Sequence, residues 1–167
     1  WADYERDLLS PGGGIYPRGA KAIPVTAEVR AALGINDERD QLTPTEMIRE
    51  ILRARVDLLW NGGIGTYVKS ASESQAAVGD KSNDAVRVNG GELRCRVVGE
   101  GGNLGFTQLG RIEAARAGVA MNNDAVDNSA GVDTSDHEVN IKILLGLAVA
   151  EGELTEKQRN TLLPQMT

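Results

Sequence analysis

Residues 93–118 read LRCRVVGEGGNLGFTQLGRIEAARAG, and this run determines the fold class. Leu93 to Val98 predicts a β-strand, and the glycine-rich segment Gly99–Gly105 predicts a turn after it. Thr107 is a good N-cap for the helix that follows, and Gly118 ends that helix. Strand, glycine turn and helix in this order are typical of a βαβ unit.

The same order of elements continues upstream of this run. Residues 43–55 begin with Thr-Pro-Thr-Glu, the residue types of a capping box with proline at the first helical position, and they predict an amphipathic helix. The apolar run VDLLW at 56–60 predicts a buried strand, and Asn61, Gly62 and Gly63 predict a second glycine turn where that strand ends.

Downstream, Val119 to Met121 predicts a third short strand. Ser135 and Glu138 have the spacing of another capping box, so a helix is predicted to begin there. Residues 139–149 are apolar nearly all round, and we therefore expect this helix to be largely buried.

Strands that alternate with helices predict parallel pairing through right-handed crossovers. The predicted fold class is α/β with a mainly parallel sheet, and 167 residues are enough for one domain. Ligands of open parallel sheets bind beyond the carboxyl ends of the strands. A binding site is therefore expected at the two glycine turns.

Composition excludes several classes of protein. The net charge is −6 without a clustered basic face, so no nucleic-acid partner is expected. No apolar run approaches the roughly 18 residues of a membrane span, and the first residues lack the regions of a signal peptide. With one cysteine, Cys95, and one histidine, His137, the chain predicts a cytoplasmic protein without an internal disulfide or a metal site. Cys95 itself is expected to be a buried, inert thiol.

The segment Gly99–Gly105 is similar to the dinucleotide-binding fingerprint with its third glycine one place late, and Asp124 follows at about the distance of the acidic ribose ligand. Glycines allow a ligand to approach the backbone closely, and helix N-termini attract anions. Two interpretations stay open for each glycine turn, namely contact with a cofactor or a tight turn that needs glycine. Two such turns at adjacent strand ends favour a shared cleft.

A third polar segment, residues 128–138, precedes the apolar helix. Ser135 is accounted for as a helix cap, and acidic residues in a first turn suit the helix dipole. Asp133, Asp136 and His137 are residue types that bind metals, but their short spacing without a second cluster argues against a metal site. We expect His137 to be a hydrogen-bonded structural residue.

Three runs taken together are more specific than the single motifs: VDLLWNGG at 56–63, VVGEGGNLGFTQLGRIE at 97–113 and NNDAVDNSAGVDTSDHEVNIK at 122–142. They resemble the large bacterial NAD-specific glutamate dehydrogenases, over nearly the whole chain. The wider amino-acid dehydrogenase superfamily has a similar order of motifs over about residues 56–140. Where the superfamily motif has Ala-Gly after its asparagine, this sequence has Ser129-Ala130. A second difference is Asp133, which adds a carboxylate near the expected substrate site.

The turn-forming residues within 1–42 predict an irregular lead-in segment, with a short helix at 26–33, that packs on or flanks the domain. Residues 153–167 are predicted to form a short C-terminal helix. The resemblance implies that residues 43–152 are the C-terminal half of a Rossmann-type NAD-binding domain, so that the fold is a Rossmann-like three-layer α/β sandwich with a mainly parallel sheet and is incomplete. In that family the diphosphate-binding turn lies upstream, so residues 99–105 approach the nicotinamide side of NAD and Asp124 has no ribose role.

The resemblance also implies roles for individual residues. Asn103 lies near the nicotinamide ribose, Asn128 hydrogen-bonds the carboxamide or its surroundings, and Ser135 reaches a carboxylate of glutamate. The residues implied in cofactor binding are Asn61, Gly62, Gly63, Gly101, Gly102, Asn103 and Asn128. The catalytic lysines and aspartate belong to the substrate domain of the family, and no matching segment occurs in this sequence.

The implied function is part of an NAD-dependent glutamate dehydrogenase, which oxidatively deaminates L-glutamate to 2-oxoglutarate and ammonium. Its partners are the substrate, the remaining domains of the parent enzyme and further copies in a homo-oligomer, and the isolated fragment is expected to be inactive. Two other functions stay open from the residues alone. One is a self-contained, non-catalytic nucleotide-binding or regulatory module, and the other is an assembly domain that uses the apolar helix at 139–149 as an interface.

Overall fold

The structure of the protein is a computed structural model, and it describes Asp3 and residues 5–166, without the side chains of Ser129 and Ala130. The chain forms two compact units, one that extends to Asp124 and one that begins at Ala125. The domain limits predicted from the sequence, after residues 42 and 152, stay a prediction. No helix in the described range is long and apolar enough to cross a lipid bilayer.

The first unit is built from short strands and helices. Its strands are β1 (Ile23–Pro24), β2 (Gln41–Leu42), β3 (Leu58–Asn61), β4 (Val68–Lys69), β5 (Val88–Asn89), β6 (Val97–Glu100) and β7 (Ala120–Met121). Its α-helices are α1 (Ala27–Leu33), α2 (Pro44–Leu52), α3 (Gln75–Val78) and α4 (Gln108–Arg116). Short 3-10 turns lie at Arg6–Leu8, Lys81–Asn83 and Gly90–Glu92.

The main sheet consists of parallel strands in the order β3-β6-β7. Leu58 pairs with Val97, and Val97 pairs with Ala120 on its other side. One face of this sheet packs on α4, and the core of this unit contains the buried residues Val68, Val88, Leu93, Cys95, Val98, Phe106, Ala114 and Val119. The predicted fold class, an incomplete Rossmann-like α/β sandwich with a mainly parallel sheet, is confirmed.

Within the first unit, the opposite face of the main sheet is not covered by a helix. Leu58 is 54% exposed and Trp60 is 60% exposed, although the apolar run predicts a buried strand. That prediction is wrong because successive side chains of a strand point to opposite faces, and within the first unit α4 covers only one of them. Leu59 and Val98 lie on the covered face.

Strand β6 lies further along the chain than predicted. Leu93 and Cys95 are buried in the core but precede β6, so the expectation of a buried thiol is confirmed. Burial raises the pKa of the Cys95 thiol. Gly99 and Glu100, predicted as part of the turn, instead continue the parallel pairing with β3. The turn after β6 therefore begins at Gly101.

The lead-in segment has regular structure of its own. The predicted short helix is confirmed by α1, whose N-cap Thr26 accepts a hydrogen bond from the N–H of Val29 at 3.2 Å. Strands β1 and β2 form an antiparallel pair that the turn-rich sequence did not predict. A second core cluster joins this segment to α2 and contains Ile23, Val25, Ile35, Leu42 and Met47. The lead-in segment therefore packs on α2.

Helix α5 (Asp124–Thr134) begins on the last residue of the first unit, and the rest of it lies in the second unit together with a π-helical turn (Ser135–Val139), α6 (Asn140–Ala150) and α7 (Glu156–Met166). The first three elements follow one another without a break, so Ser135 lies inside a helical run and does not begin it. The predicted capping box is wrong. The Glu138 carboxylate pairs with Lys142 one helical turn further on instead of reaching back to a helix start.

Helix α6 is less buried than its sequence predicts. Leu145 is buried, whereas Ile143, Leu144 and Leu147 are each more than half exposed. The prediction of a largely buried helix is wrong because, within this unit, α7 packs against only part of its surface.

Candidate functional site

The two glycine turns meet at the carboxyl ends of neighbouring parallel strands. The N–H of Gly101, directly after β6, donates to the carbonyl of Asn61, the last residue of β3, at 3.0 Å. A Cβ atom on Gly102 would overlap with the carbonyl oxygen of Gly63, so the two main chains are in direct contact. The structure thus brings together five of the predicted site residues: Asn61, Gly62, Gly63, Gly101 and Gly102.

The indole ring of Trp60 lies against both glycine turns. A Cβ atom on Gly62 would lie 2.9 Å from the indole Nε1, one on Gly99 would lie 2.7 Å from Cε3, and one on Gly101 would lie 2.9 Å from Cζ2. Glycine at these three positions leaves the space that the indole occupies. The exposed ring therefore lines the two turns on the face of the sheet that α4 does not cover.

The side chains of Asn61 and Glu100 point to the covered face of the sheet. Glu100 has no exposed surface. A Cβ atom on Gly105 would overlap with the amide nitrogen of Asn61 and would lie 2.8 Å from Oε1 of Glu100, so both groups border Gly105. Among the described residues, the buried Nδ2 of Asn61 has no hydrogen-bond partner. Asn61 therefore presents its main chain to the neighbouring turn.

Arg111 on α4 neutralises the buried carboxylate of Glu100. Its Nη1 donates to Oε2 of Glu100 at 2.6 Å and to the carbonyl of Asn122 at 2.6 Å. Its guanidinium also lies 5.3 Å from the centre of the Phe106 ring. A buried carboxylate is destabilising unless it is paired, so this ion pair fixes the end of β6 against the segment that follows β7.

Leu104 has a positive φ of 59°, alone among the non-glycine residues in the described part of the chain. Its N–H donates to Oδ2 of Asp124 at 2.8 Å, and its carbonyl accepts from the hydroxyl of Thr66 at 2.6 Å. Asp124, which the fingerprint would place on a ribose, thus contacts the glycine turn itself. Asn103, whose side chain is exposed, immediately precedes Leu104.

A buried arginine shapes the chain after the first glycine turn. The Arg87 side chain has no exposed surface, and it donates to the carbonyl of Thr66 at 2.7 Å and to that of Asp80 at 2.6 Å. The Asp80 carboxylate accepts from Asn83 Nδ2 at 2.7 Å and from the N–H of Thr66 at 2.8 Å. These bonds, the one from Asn83 most of all, lower the pKa of Asp80.

The other predicted site residues belong to the second unit. Asn128 is partly buried in α5, and Ser135 is exposed in the π-helical turn. Oδ1 of Asp133 lies 3.0 Å from Nδ1 of His137, and both side chains are exposed. The expectation that His137 is hydrogen-bonded is therefore confirmed. Within the described ranges, no group of three or more His, Cys, Asp or Glu side chains could hold a metal ion.

A family model described as "Bacterial NAD-glutamate dehydrogenase, catalytic domain" matches residues 1–167. The chain belongs to this family. It is 60% identical over its whole length to proteins named NAD-specific glutamate dehydrogenase from Halomonas elongata and from Pseudomonas aeruginosa. It is 57% identical to the protein of the same name from Mycobacterium tuberculosis. The chain spans 10% of the length of each of these relatives.

Membership of the bacterial NAD-glutamate dehydrogenase family confirms the resemblance predicted from the three runs. Three residues that shape the site in this bacterial NAD-glutamate dehydrogenase segment were not predicted: Thr66, Arg87 and Arg111. The acidic neighbours of Arg87, at 80 and 84, indicate an ion-pair cluster, but nothing in the local sequence indicates its burial. Thr66 and Arg111 give no local signal, because their partners lie across the fold.

Proposed function

We propose that this chain forms part of the NAD cleft of an NAD-dependent glutamate dehydrogenase, which oxidatively deaminates L-glutamate to 2-oxoglutarate and ammonium. The observation that carries the proposal is the meeting of two glycine turns at the carboxyl ends of the neighbouring parallel strands β3 and β6. Ligands of open α/β sheets bind at this edge. Membership of a family described as NAD-glutamate dehydrogenase supports NAD as the ligand and the deamination of glutamate as the reaction.

The chemistry of the turns suits a nicotinamide cofactor. Gly62, Gly63 and Gly101 are exposed, so a ligand can approach their main chain closely. The exposed carboxamide of Asn103 can both donate and accept hydrogen bonds, which suits ribose hydroxyls and the nicotinamide amide. We assign cofactor binding to Asn61, Gly62, Gly63, Gly101, Gly102, Asn103 and Asn128. When bound, NAD takes the hydride that leaves Cα of glutamate.

We assign Ser135 to a carboxylate of the substrate. The nearby Asp133 would repel that carboxylate, but its pairing with His137 gives it a partner within the helix. The acid–base groups are assigned to the substrate domain of the parent enzyme, so that this chain contributes binding and orientation only. We further expect a homo-oligomeric, cytoplasmic parent enzyme, and no activity from the isolated chain.

Substitution of Asn103 in the full-length protein that carries this chain tests the proposal. Wild type should form NADH in a glutamate-dependent reaction, and Asn103→Ala should raise KM for NAD by about tenfold through loss of polar contacts. Asn36→Ala, which removes an exposed carboxamide from the lead-in segment, is the matched control and should leave KM unchanged. An unchanged KM for NAD in Asn103→Ala would contradict the assignment.

The isolated 167-residue chain separates this proposal from a self-contained nucleotide-binding module. If the chain is one part of a larger cleft, titration with NAD should give weak or undetectable binding, and addition of glutamate should give no NADH. Tight NAD binding with the diphosphate at residues 99–105 would favour the self-contained module. Glutamate-dependent NADH formation at a normal enzyme rate would refute the assignment of the acid–base groups to another domain.

A further inference from the structure

We propose that Asp124 is a positioning residue for Asn103. Its carboxylate holds Leu104 in the left-handed conformation and thereby fixes the direction of the asparagine that precedes it. This inference rests on the proposed function, because that function places Asn103 on the nicotinamide side of NAD.

Leu104 occupies a backbone conformation that residues with a Cβ atom rarely adopt. Its φ of 59° brings the side chain close to the following carbonyl, which destabilises this conformation in all residues except glycine and, to a lesser degree, asparagine and aspartate. The Leu104 side chain is 66% exposed, so packing in the core does not hold it there. A strained residue of this kind persists only where surrounding contacts fix it, and such residues cluster at functional sites.

Hydrogen bonds hold both sides of Leu104. On one side, its N–H donates to Oδ2 of Asp124 at 2.8 Å. On the other side, its carbonyl accepts from the buried hydroxyl of Thr66 at 2.6 Å. The next carbonyl, that of Gly105, accepts from the N–H groups of Tyr67 at 2.9 Å and of Val68 at 3.1 Å. The chain after Leu104 is therefore attached to β4, and the N–H of Leu104 itself is held by Asp124.

Asp124 is itself held in place. Its Oδ1 lies 3.9 Å from Nη2 of Arg111, whose side chain is only 11% exposed. The other terminal nitrogen of Arg111 is bound to the buried Glu100 at 2.6 Å. A chain of charged groups thus runs from the end of β6 to the Asp124 carboxylate, and it restricts the positions from which that carboxylate can accept a hydrogen bond.

The link from Asp124 to Asn103 is the peptide plane between Asn103 and Leu104. The N–H of Leu104 and the carbonyl of Asn103 belong to one rigid peptide unit, so a hydrogen bond to that N–H also orients the Cα of Asn103. Asn103 has an exposed side chain, so its direction is set by its own main chain rather than by core packing. Asp124 therefore acts on the cofactor contact through Leu104.

Four variants of the full-length protein separate positioning from a merely structural role. Asp124→Ala removes the acceptor, whereas Asp124→Asn keeps an amide oxygen that can accept from Leu104. Leu104→Val places a β-branched residue where φ is positive, whereas Leu104→Asn places there a residue that tolerates this conformation. Asp57→Ala, which removes an 85% exposed carboxylate directly before β3, is the control. KM for NAD, kcat and Tm are measured for each protein.

The proposal expects KM for NAD to rise by about tenfold in Asp124→Ala and in Leu104→Val, the loss typical of one hydrogen bond to a charged group. Asp124→Asn and Leu104→Asn should stay within about threefold of wild type. A structural role alone would lower Tm in Asp124→Ala and leave KM for NAD unchanged, and that result would overturn the proposal. If Asp124→Ala does not fold, the comparison of Leu104→Val with Leu104→Asn decides, and equal KM values for these two would also overturn it.

The wild-type control keeps the two proposals distinguishable. Full-length protein without glutamate-dependent NAD reduction would overturn the proposed function, and the positioning role with it. An active wild type whose Asp124→Ala variant keeps its KM for NAD would overturn the positioning role alone.

Discussion

The carbonyl group of Gly63 faces Gly102 so closely that the two glycine turns leave no room for a Cβ atom at position 102, which would lie only 2.9 Å from the carbonyl carbon. Gly102→Ala should therefore force the turns apart. We expect it to lower the free energy of unfolding of the 167-residue chain by about 1–3 kcal/mol, measured by urea denaturation. Gly63→Ala is the matched control, because a Cβ atom there would have no neighbour within 4 Å. If both variants lowered the free energy of unfolding equally, overlap of the new Cβ atom with Gly63 could not be the cause.

Arg87 should contribute far more to stability than an exposed arginine. Its buried guanidinium donates to the carbonyls of Thr66 and Asp80 and pairs with the Asp84 carboxylate at 2.7 Å. Arg87→Met leaves these acceptors without their donor, and we expect a loss of about 3–5 kcal/mol in the free energy of unfolding.

Arg96→Met is the comparison for this prediction. Arg96 pairs with Asp57 at 3.1 Å, but both side chains are more than 80% exposed. An exposed ion pair contributes about 0–1 kcal/mol, so Arg96→Met should change the urea midpoint little. If Arg87→Met lowered the free energy of unfolding as little as Arg96→Met, water would have to replace the buried guanidinium as hydrogen-bond donor.

The Glu113 carboxylate makes the stability of the first unit sensitive to acid. It accepts from the Ser70 hydroxyl and the Ala71 N–H, both at 2.7 Å, and from the Gly91 N–H at 2.8 Å. These bonds, the one from Ser70 most of all, hold the pKa of Glu113 below its ordinary value of 4.5. A carboxyl group with a lowered folded-state pKa stabilises the fold above its unfolded-state pKa, and this contribution is lost as the pH falls through the folded-state value.

We therefore expect the free energy of unfolding to decrease as the pH falls below 4.5, and Glu113→Gln to remove part of that decrease. The measurement is the urea midpoint over a pH series that crosses this value. Ser70→Ala removes the hydroxyl that lowers the pKa of Glu113 most, so it should also weaken the dependence of the free energy of unfolding on pH. Glu151→Gln, at an exposed position after α6, is the control. An acid dependence that is identical in wild type and Glu113→Gln would disprove the assignment.

Local signals in the sequence were sufficient for the starts of α1, α2 and α4. Thr26, Thr43 and Thr107 each cap a helix, because a hydroxyl and an amide three residues apart are all that this geometry requires. The same reasoning failed at Ser135, where the residues before it are also helical and leave no terminus to cap. A capping pattern indicates where a helix can begin, and tertiary context decides whether it does.

Burial and long-range pairing could not be predicted in the same way. The run VDLLW is apolar throughout, but exposure of Leu58 and Trp60 depends on which elements cover each face of the sheet. The candidate site was predicted as two glycine turns because each turn is a local motif. Its supports, such as the pair of Arg111 with Glu100, join positions that only the fold brings together.

The position of Trp60 over both glycine turns makes this residue an optical reporter of the site. The 167-residue chain has one other tryptophan, Trp1, so its Trp1→Phe variant contains a single emitting indole. Tryptophan emission overlaps the absorption band of NADH, and bound NADH should therefore quench Trp60 by energy transfer and show sensitised emission of its own. Quenching of Trp60 in this variant of the 167-residue chain therefore measures whether NADH reaches the two glycine turns, without a dye and without turnover.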